Sequence, residues 1–437
     1  MTIVLKIFSI AKIKKQKNKK NESKNQKMLD AMLNVIADLH IHSKFSRATS
    51  RDVNIANLEK WAKIKGLDLL GTGDFCHPQW LKELKQELSD DGSGIFLTKN
   101  DFPFILTNEI SLIYSDEKNK VRKVHLLLLA PSFEIVDQII DCLKMYGRLD
   151  YDGRPSFNIA CDEFVDMMKK ISENIEIIPA HAWTPHFGIF GSASGFDSIE
   201  EAFKDKANFI YAIETGLSSD PEMNWRLSKL DKYSLVSFSD SHSYWPWRLG
   251  REATVFQIEK LDYKNILEAI RNKKIAFTIE TSPAYGKYHY DGHRSCNFSC
   301  HPNETIKYNG ICPICKKPLT IGVLHRVNEL ADREEGFKLK HAIPFKTILP
   351  LHELIANVFK ASLTSKKVWK EYDKLIEAFG NEFNVLLNVP FNELQKITTR
   401  EVTDIIIKNR EGKIKVKPGY DGEYGKILIE EQKTLSI

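Results

Sequence analysis

Leu33-Asn34-Val35-Ile36-Ala37-Asp38-Leu39-His40-Ile41-His42-Ser43 is the stretch on which the fold turns. The run 33–37 is apolar and β-prone and reads as a buried strand. In the word after it, imidazoles and a carboxylate stand at alternating positions. Alternation sends side chains 38, 40 and 42 to one face of an extended chain. Polar groups at a strand's C-terminal end are the pattern of parallel α/β folds, where metal and catalytic groups gather. An isolated His-x-His is weak, since most histidines are surface or satisfied core residues. The weight comes from repetition along the chain.

Gly71-Thr72-Gly73-Asp74-Phe75-Cys76-His77 follows the strand-like 67–70, and Asn108-Glu109 follows 104–106. Val124-His125 opens the apolar run 126–130, Pro179-Ala180-His181 follows 175–178, and Ser239-Asp240-Ser241-His242 follows 235–238. Most stretches between these words are long enough for a helix, and 54–65, 135–145, 160–172 and 263–272 have amphipathic spacing. The pattern predicts β/α units and a mainly parallel sheet from 34 to about 283. Imidazole with carboxylate suits Zn, Mn or Fe(II), whereas all-oxygen ligation suits Mg or Ca. A carboxylate such as Glu109 can bridge two ions, which activate a water and stabilise both oxygens of a phosphoryl displacement. The expected chemistry is phosphoester hydrolysis.

The order Asp-x-His-x-His, Gly-Asp, Glu, His, Pro-x-His, Asp-x-His resembles the polymerase-and-histidinol-phosphatase (PHP) superfamily. That resemblance implies an α/β fold, a distorted (β/α)7 barrel holding two or three metals. It implies His40, His42, Glu109 and Asp240 at one metal, and Glu109, His125 and His181 at a second. His242 would belong to a third, with Asp74 and His77 as further candidates. The chain departs from the pattern at Asp74-Phe75, where an Asp-His pair is usual, and at Arg47-Ala48-Thr49, where another histidine often stands.

Composition places few other bounds. The chain has 437 residues, 42% hydrophobic and 28% charged, ordinary for two or three soluble domains. Its apolar runs are strand-length, which excludes a helical membrane span; a cytoplasmic location is expected. A net charge of +5 is compatible with a nucleic-acid partner without requiring one. Residues 1–33 hold a mildly apolar start and then a run rich in Lys, Asn and Gln from Lys12 to Lys27. The positive charge follows the apolar part, the wrong order for secretion. A disordered extension is expected, with a basic arm on DNA phosphates as the alternative.

Cys296, Cys300, Cys312 and Cys315 form C-x3-C, eleven residues, then C-x2-C, spacing that fits a structural zinc ribbon over 286–345. His293 or His301 could replace Cys300. The remaining cysteines, 76, 142 and 161, are scattered, which argues against disulfides. From 346 to 437 the chain is mainly helical. Helical spacing covers 349–361, 365–379 and 399–408, with Thr364-Ser365 and Thr398-Thr399 as caps. A lysine-alternating strand, 412–417, then precedes Pro418-Gly-Tyr-Asp-Gly-Glu-Tyr-Gly425. Lysines beside two tyrosines and three glycines suit a nucleic-acid backbone and a stacked base, and equally suit a tight hairpin with core tyrosines.

The segments Asp240–Arg251 and 311–331 and the terminal Gly-Tyr loop together resemble the endonuclease Q family from about 34 to 426. That resemblance implies a DNA repair endonuclease associated with the nucleoid. It would use a multinuclear metal-activated hydroxide to cut 5′ to uracil, hypoxanthine or xanthine, or to an abasic site, in duplex DNA. Implied cofactors are a ribbon zinc and two or three catalytic ions, Zn or Mn or else Mg. Asp240, Glu109, His40 and His42 are the candidate catalytic residues. Arg47, Arg51, Trp245, Trp247, Arg248, Arg251, Tyr420 and Tyr424 are the candidate DNA contacts, Trp-Pro-Trp being either a wedge or a packed lid. A monomer is expected, and a sliding-clamp contact is not readable from these residues. The rival readings are a small-molecule phosphoesterase of the histidinol-phosphatase kind and a non-catalytic DNA-binding scaffold.

Overall fold

The computed structural model describes residues 32–428. The expectations for the N-terminal extension, including its basic arm, fall outside the described residues except at its last two positions.

Seven strands follow one another through hydrogen bonds. β1 (Leu33–Asp38) pairs in parallel with β2 (Leu69–Gly71), and β2 with β3 (Pro103–Ser115). β3 then pairs antiparallel with β4 (Val121–Ala130), and β4 antiparallel with β5 (Glu176–Pro179). Just past β5, Ala182 N donates to the carbonyl of Glu214 in β6 (Ala212–Glu214), which runs parallel to β7 (Ser234–Val236). Beyond β7, Ser241 bridges Ile41 in parallel, and His42 N donates to Ser241 O at 2.9 Å. The succession returns to the chain that leaves β1. Val35, Ala37, Leu69, Ile105, Leu127, Leu129, Ile178, Ala212 and Val236, drawn from all seven strands, form one buried apolar cluster. It floors the space into which the polar words project.

The parallel expectation fails at β3 and β4, and the reason is loop length. Only Asp116–Lys120 separates them, whereas a parallel crossover needs a dozen residues or more. Asn119 N donates to Asp116 O at 2.9 Å, closing a tight turn. β8 (Ala253–Ile258) is also antiparallel to β1, on its other edge, and β9 (Ile275–Glu280) to β8.

The helices start where capping chemistry places them. Asn54, Ser132, Asp262, Ser365 and Thr399 each accept a backbone N–H from the first turn of the helix that follows. In the C-terminal part, Leu351–Val358, Lys366–Phe379 and Arg400–Arg410 match expectation, while Glu382–Leu387 and Phe391–Ile397 are additional. The lysine-alternating strand shrinks to Val416–Lys417, paired antiparallel with Lys426–Ile427.

The C-terminal helices are locked to the sheet half through Lys65, which is 1% exposed. Its Nζ reaches Glu382 Oε1 at 2.7 Å and Pro246 O at 2.6 Å. Glu382 also accepts from Leu351 N and Tyr372 Oη, so both charges of this buried pair are satisfied. Trp61, Trp245, Trp247, Trp369 and His352 pack ring against ring beside it, with Trp245 and Trp247 stacked at 5.5 Å. Trp245 and Trp247 therefore join the two halves of the molecule, and the packed lid describes them better than a wedge.

Candidate metal centre

His40 and His42 leave the end of β1, His181 follows β5 and Asp240 follows β7. Glu109 and His125 instead lie mid-strand on the β3–β4 pair. Asp74, His181 and Asp240 all have positive φ, at 49°, 32° and 46°. Left-handed backbone is costly for residues with a side chain and persists where the surroundings enforce it, as at functional sites.

Two groups of ligand atoms converge, and they share Glu109. His40, His42, Glu109 and Asp240 form one, and Glu109, His125 and His181 the other, with the donor atoms of each group within 4.8 Å of one another. His42 Nε2 lies 3.1 Å from both Glu109 Oε2 and Asp240 Oδ1. On the other oxygen, Glu109 Oε1 lies 2.7 Å from His125 Nδ1 and 2.9 Å from His181 Nε2. His40 Nε2 is buried and has no hydrogen-bond partner, with Glu109 Oε2 and Asp240 Oδ1 each 3.6 Å away. An orphaned imidazole lone pair facing two carboxylates fits a divalent cation. Four histidines and two carboxylates are the donor set of Zn, Mn or Fe(II).

The charges support the same fit. Burial alone would raise the Glu109 carboxyl, yet His125, Arg154 and His40 hold it well below the usual carboxylate range. Burial would depress His40, but Glu214 and Glu109 raise it well above the ordinary imidazole value, so this position favours positive charge, which a bound cation would supply in place of the proton. Burial wins at His125, which is pushed down to about 4 and kept neutral, as a ligand must be.

Surrounding residues orient these groups. Asp74 stands behind His42, its Oδ1 3.0 Å from His42 Nδ1 and its Oδ2 accepting from Ser43 N, Ser43 Oγ and Ser46 Oγ. Its oxygens are thus spent on His42 and the two serines, which places it outside both groups. His77 directly precedes the helix Pro78–Glu87 without a side-chain capping bond and stacks on Phe45 at 4.3 Å, also outside. His242 lies 4.3 Å ring to ring from His42 but joins neither group. Two residues escaped the sequence reading. Glu214 holds His40 Nδ1 at 3.0 Å and accepts from His181 N at 2.6 Å. Arg154 Nη1 lies 3.0 Å from Glu109 Oε2. Glu214 carries the signal that marked the others, a carboxylate closing a strand (Ala212-Ile213-Glu214), whereas Arg154 lies in a loop with no such mark.

A third group lies in the ribbon, and it departs from the four-cysteine expectation. His293, Cys296, Cys312 and Cys315 converge, with Cys300 absent. The antiparallel register sets Cys300 opposite Asp291 and His293 opposite Phe298, so Cys300 sits at the end of the hairpin away from Cys296. Its Sγ contacts Thr305 Oγ1 at 3.4 Å. The donor set of three thiols and an imidazole fits zinc.

Of the candidate DNA contacts, Arg47 is exposed over the Tyr151 ring at 4.4 Å, and Arg51 is exposed. Arg251 donates through Nε and Nη2 to Ser239 O. Arg248 and Tyr424 face one another at 5.9 Å. Tyr420 is 8% exposed and donates to Asn297 Oδ1, which anchors the terminal loop and removes it from base stacking.

Two histidine–carboxylate groups with a shared glutamate, set at the ends and middles of a succession of seven strands, form a candidate centre for two metal ions, the pattern of a metal-dependent hydrolase. Comparison with known proteins narrows the class. Residues 350–413 match the model of the MJ0043 C-terminal domain family. An uncharacterized protein of Methanocaldococcus jannaschii, MJ0043, is 34% identical over 262 residues, which are 58% of this chain and 32% of that protein. The match thus spans about a third of that relative. The crystal structure of the lesion-specific endonuclease PfuEndoQ from Pyrococcus furiosus superposes with a TM-score of 0.82 at 32% identity, over 91% of this chain and 96% of that one. A structure of Endonuclease Q with a 27-mer duplex carrying an abasic lesion at the active site gives the same score and identity, over 91% and 97%. The chain belongs to the endonuclease Q family.

Proposed function

We propose that this protein is a DNA repair endonuclease that hydrolyses the phosphodiester 5′ to a deaminated base or an abasic site and leaves a 3′-hydroxyl. The observation that carries the reading is Glu109, whose two oxygens face two separate ligand groups, in a chain similar over nine-tenths of its length to an endonuclease bound to lesion DNA. His40, His42, Glu109 and Asp240 would hold one divalent ion, and Glu109, His125 and His181 another. Such ions, when bound, polarise the phosphate and make a water acidic enough to attack it at neutral pH. Glu214 and Asp74 fix the tautomers of His40 and His42, and Arg154 offers its remaining N–H groups to a phosphate oxygen. The ribbon, 286–345, and the C-terminal part, 346–437, would grip the DNA. Among the described residues no helix is long and apolar enough to cross a membrane.

Labelled duplexes carrying uracil, hypoxanthine, an abasic site or a normal base test the proposal. A nick immediately 5′ to the lesion, absent from the normal duplex, supports it. Turnover of a chromogenic phosphomonoester with no nicking of any duplex would establish the small-molecule phosphoesterase instead.

A further inference from the structure

The two ligand groups of the sheet half are backed by different chemistry. Behind the first, Glu214 holds His40 Nδ1 and Asp74 holds His42 Nδ1, each at 3.0 Å. Both are fully buried carboxylates. Carboxylates behind imidazoles fix the rings and make them more basic ligands. Behind the second group stand a hydroxyl and an apolar ring. His181 Nδ1 donates to Thr184 Oγ1 at 2.9 Å, and that hydroxyl donates in turn to His181 O at 3.1 Å. The His125 ring lies on Phe187 at 4.2 Å, and His125 N donates to Phe187 O at 2.9 Å. Thr184 and Phe187 belong to one loop, 184–197.

That loop is irregular and is held from outside. Phe187 has a φ of 67°, a left-handed conformation that an aromatic residue keeps only where its surroundings enforce it. Within the loop, Gly188 N donates to Thr184 O at 3.2 Å, and Phe196 N to Ile189 O at 2.7 Å. From the sheet half, Arg122 of β4 donates to Gly195 O, and Phe190 N donates back to Ala182 O at 2.8 Å. Further ties come from the ribbon. Arg326, on the helix Val323–Leu330, donates through Nε to Phe190 O at 3.1 Å and through Nη2 to Phe196 O at 3.3 Å. Ser192 Oγ donates to Ile321 O at 3.3 Å beside it. One guanidinium thus fastens both ends of the stretch 190–196, just past Phe187.

We propose that the two ions are held unequally, that the one at Glu109, His125 and His181 is the exchangeable one, and that Arg326 is a positioning residue that keeps its site formed. The first group has two carboxylate ligands, Glu109 and Asp240, with two more carboxylates behind its imidazoles. The second shares Glu109 and adds only imidazoles. A divalent ion there meets less negative charge, and two of its three protein ligands lean on the loop. Without Arg326, the carbonyls of Phe190 and Phe196 lose this donor, the loop relaxes, and Thr184 and Phe187 release the two rings. The ribbon thereby conditions occupancy of the second site. This inequality rests on the two-ion reading of the nuclease centre and deepens it by tying one ion to a distant domain.

Zinc is counted in the full-length protein as free Zn²⁺ is lowered stepwise in a chelator buffer. Wild type, His125→Ala, Arg326→Met and Arg326→Lys are compared, each variant's fold checked by its melting temperature. In wild type, one ion should leave at a free-zinc level at least about tenfold above that at which the next leaves. His125→Ala should lack that first step and keep the others. Arg326→Met should move it to about tenfold higher free zinc and leave the later steps in place. Arg326→Lys keeps a positive charge near Asp197 and Glu329 but loses the fork that spans two carbonyls, and should move the step in the same direction. Should Arg326→Met not fold, Arg326→Lys decides. A first step that survives His125→Ala overturns the proposal, as does a folded Arg326 variant that moves no step or moves all of them together. A wild-type protein that holds at most two ions per chain at every zinc level, the ribbon's and one other, overturns the two-ion centre and this proposal with it. Two sheet-half ions released in a single step overturn the inequality only.

Discussion

Ligand atoms converge in the sheet half and again in the ribbon, and the two places are built in opposite ways. In the sheet half, every ligand stands on or just beyond a strand whose partners and apolar floor are complete without a metal. In the ribbon, a two-stranded hairpin and its neighbouring turns surround a small cluster of Cys300, Cys312 and Leu319, with Cys296, Phe298 and Cys315 packed against it. So little apolar material cannot fix a fold without help. On the proposed reading the first site would shape its metal, and the second would be shaped by it. Loss of metal should therefore cost chemistry in one region and structure in the other.

The sharpest way to break that contrast lies in the ribbon. Structural zinc in small modules contributes about 10–16 kcal/mol of folding free energy. Cys312→Ser and His293→Ala should each release the ribbon metal and expose 286–345 to proteolysis, while Cys300→Ser keeps it. Metal analysis with limited proteolysis decides, and retention of zinc by His293→Ala would restore the four-cysteine site. The next effect separates the sheet half from its helical neighbour. Lys65→Ala leaves Glu382 buried and unpaired and should cost about 3–5 kcal/mol, read by denaturant unfolding. Within the metal centre, Glu214→Gln frees His40 to turn and should weaken metal affinity or incision by about 10–100-fold while the melting temperature holds.

The smallest effect is a pH dependence at the start of β5. Burial, against the pull of Arg271 and Lys169, pushes the Glu176 carboxyl up to about 7. The folded state thus holds a proton that the unfolded chain releases at its ordinary carboxylate value near 4.5. Stability from this group is fully present below that value and is lost as pH rises to about 7. Glu176→Gln, which cannot ionise, should gain a few degrees of melting temperature over wild type between pH 5 and 8. An unchanged difference across that range would refute it.

Much of the centre was legible in the sequence because its ligands lie within or just after strands, and strands announce themselves by apolar runs. His40, His42, Glu109, His125, His181 and Asp240 all carried that mark. What escaped depends on contacts between distant segments. Asp74 reads as a ligand until Ser43 and Ser46 are seen taking its oxygens. Cys300 reads as a thiolate ligand until the register puts it across from Asp291. Trp245 and Trp247 read as either a wedge or a packed lid until Trp61 and Trp369 close on them. The short helices Glu382–Leu387 and Phe391–Ile397 carry too few residues for a periodic signal, and tertiary packing decides them.

The most direct test of the shared-glutamate centre sets Glu109→Ala beside wild type and measures binding and incision on one duplex with a single abasic site, with divalent metal counted in both proteins. The variant should bind the duplex within a few-fold of wild type, lose the metals of the sheet half, keep the ribbon metal, and cut at least about a thousandfold more slowly. A Glu109→Ala protein that nicks at the wild-type rate would contradict the assignment of that centre.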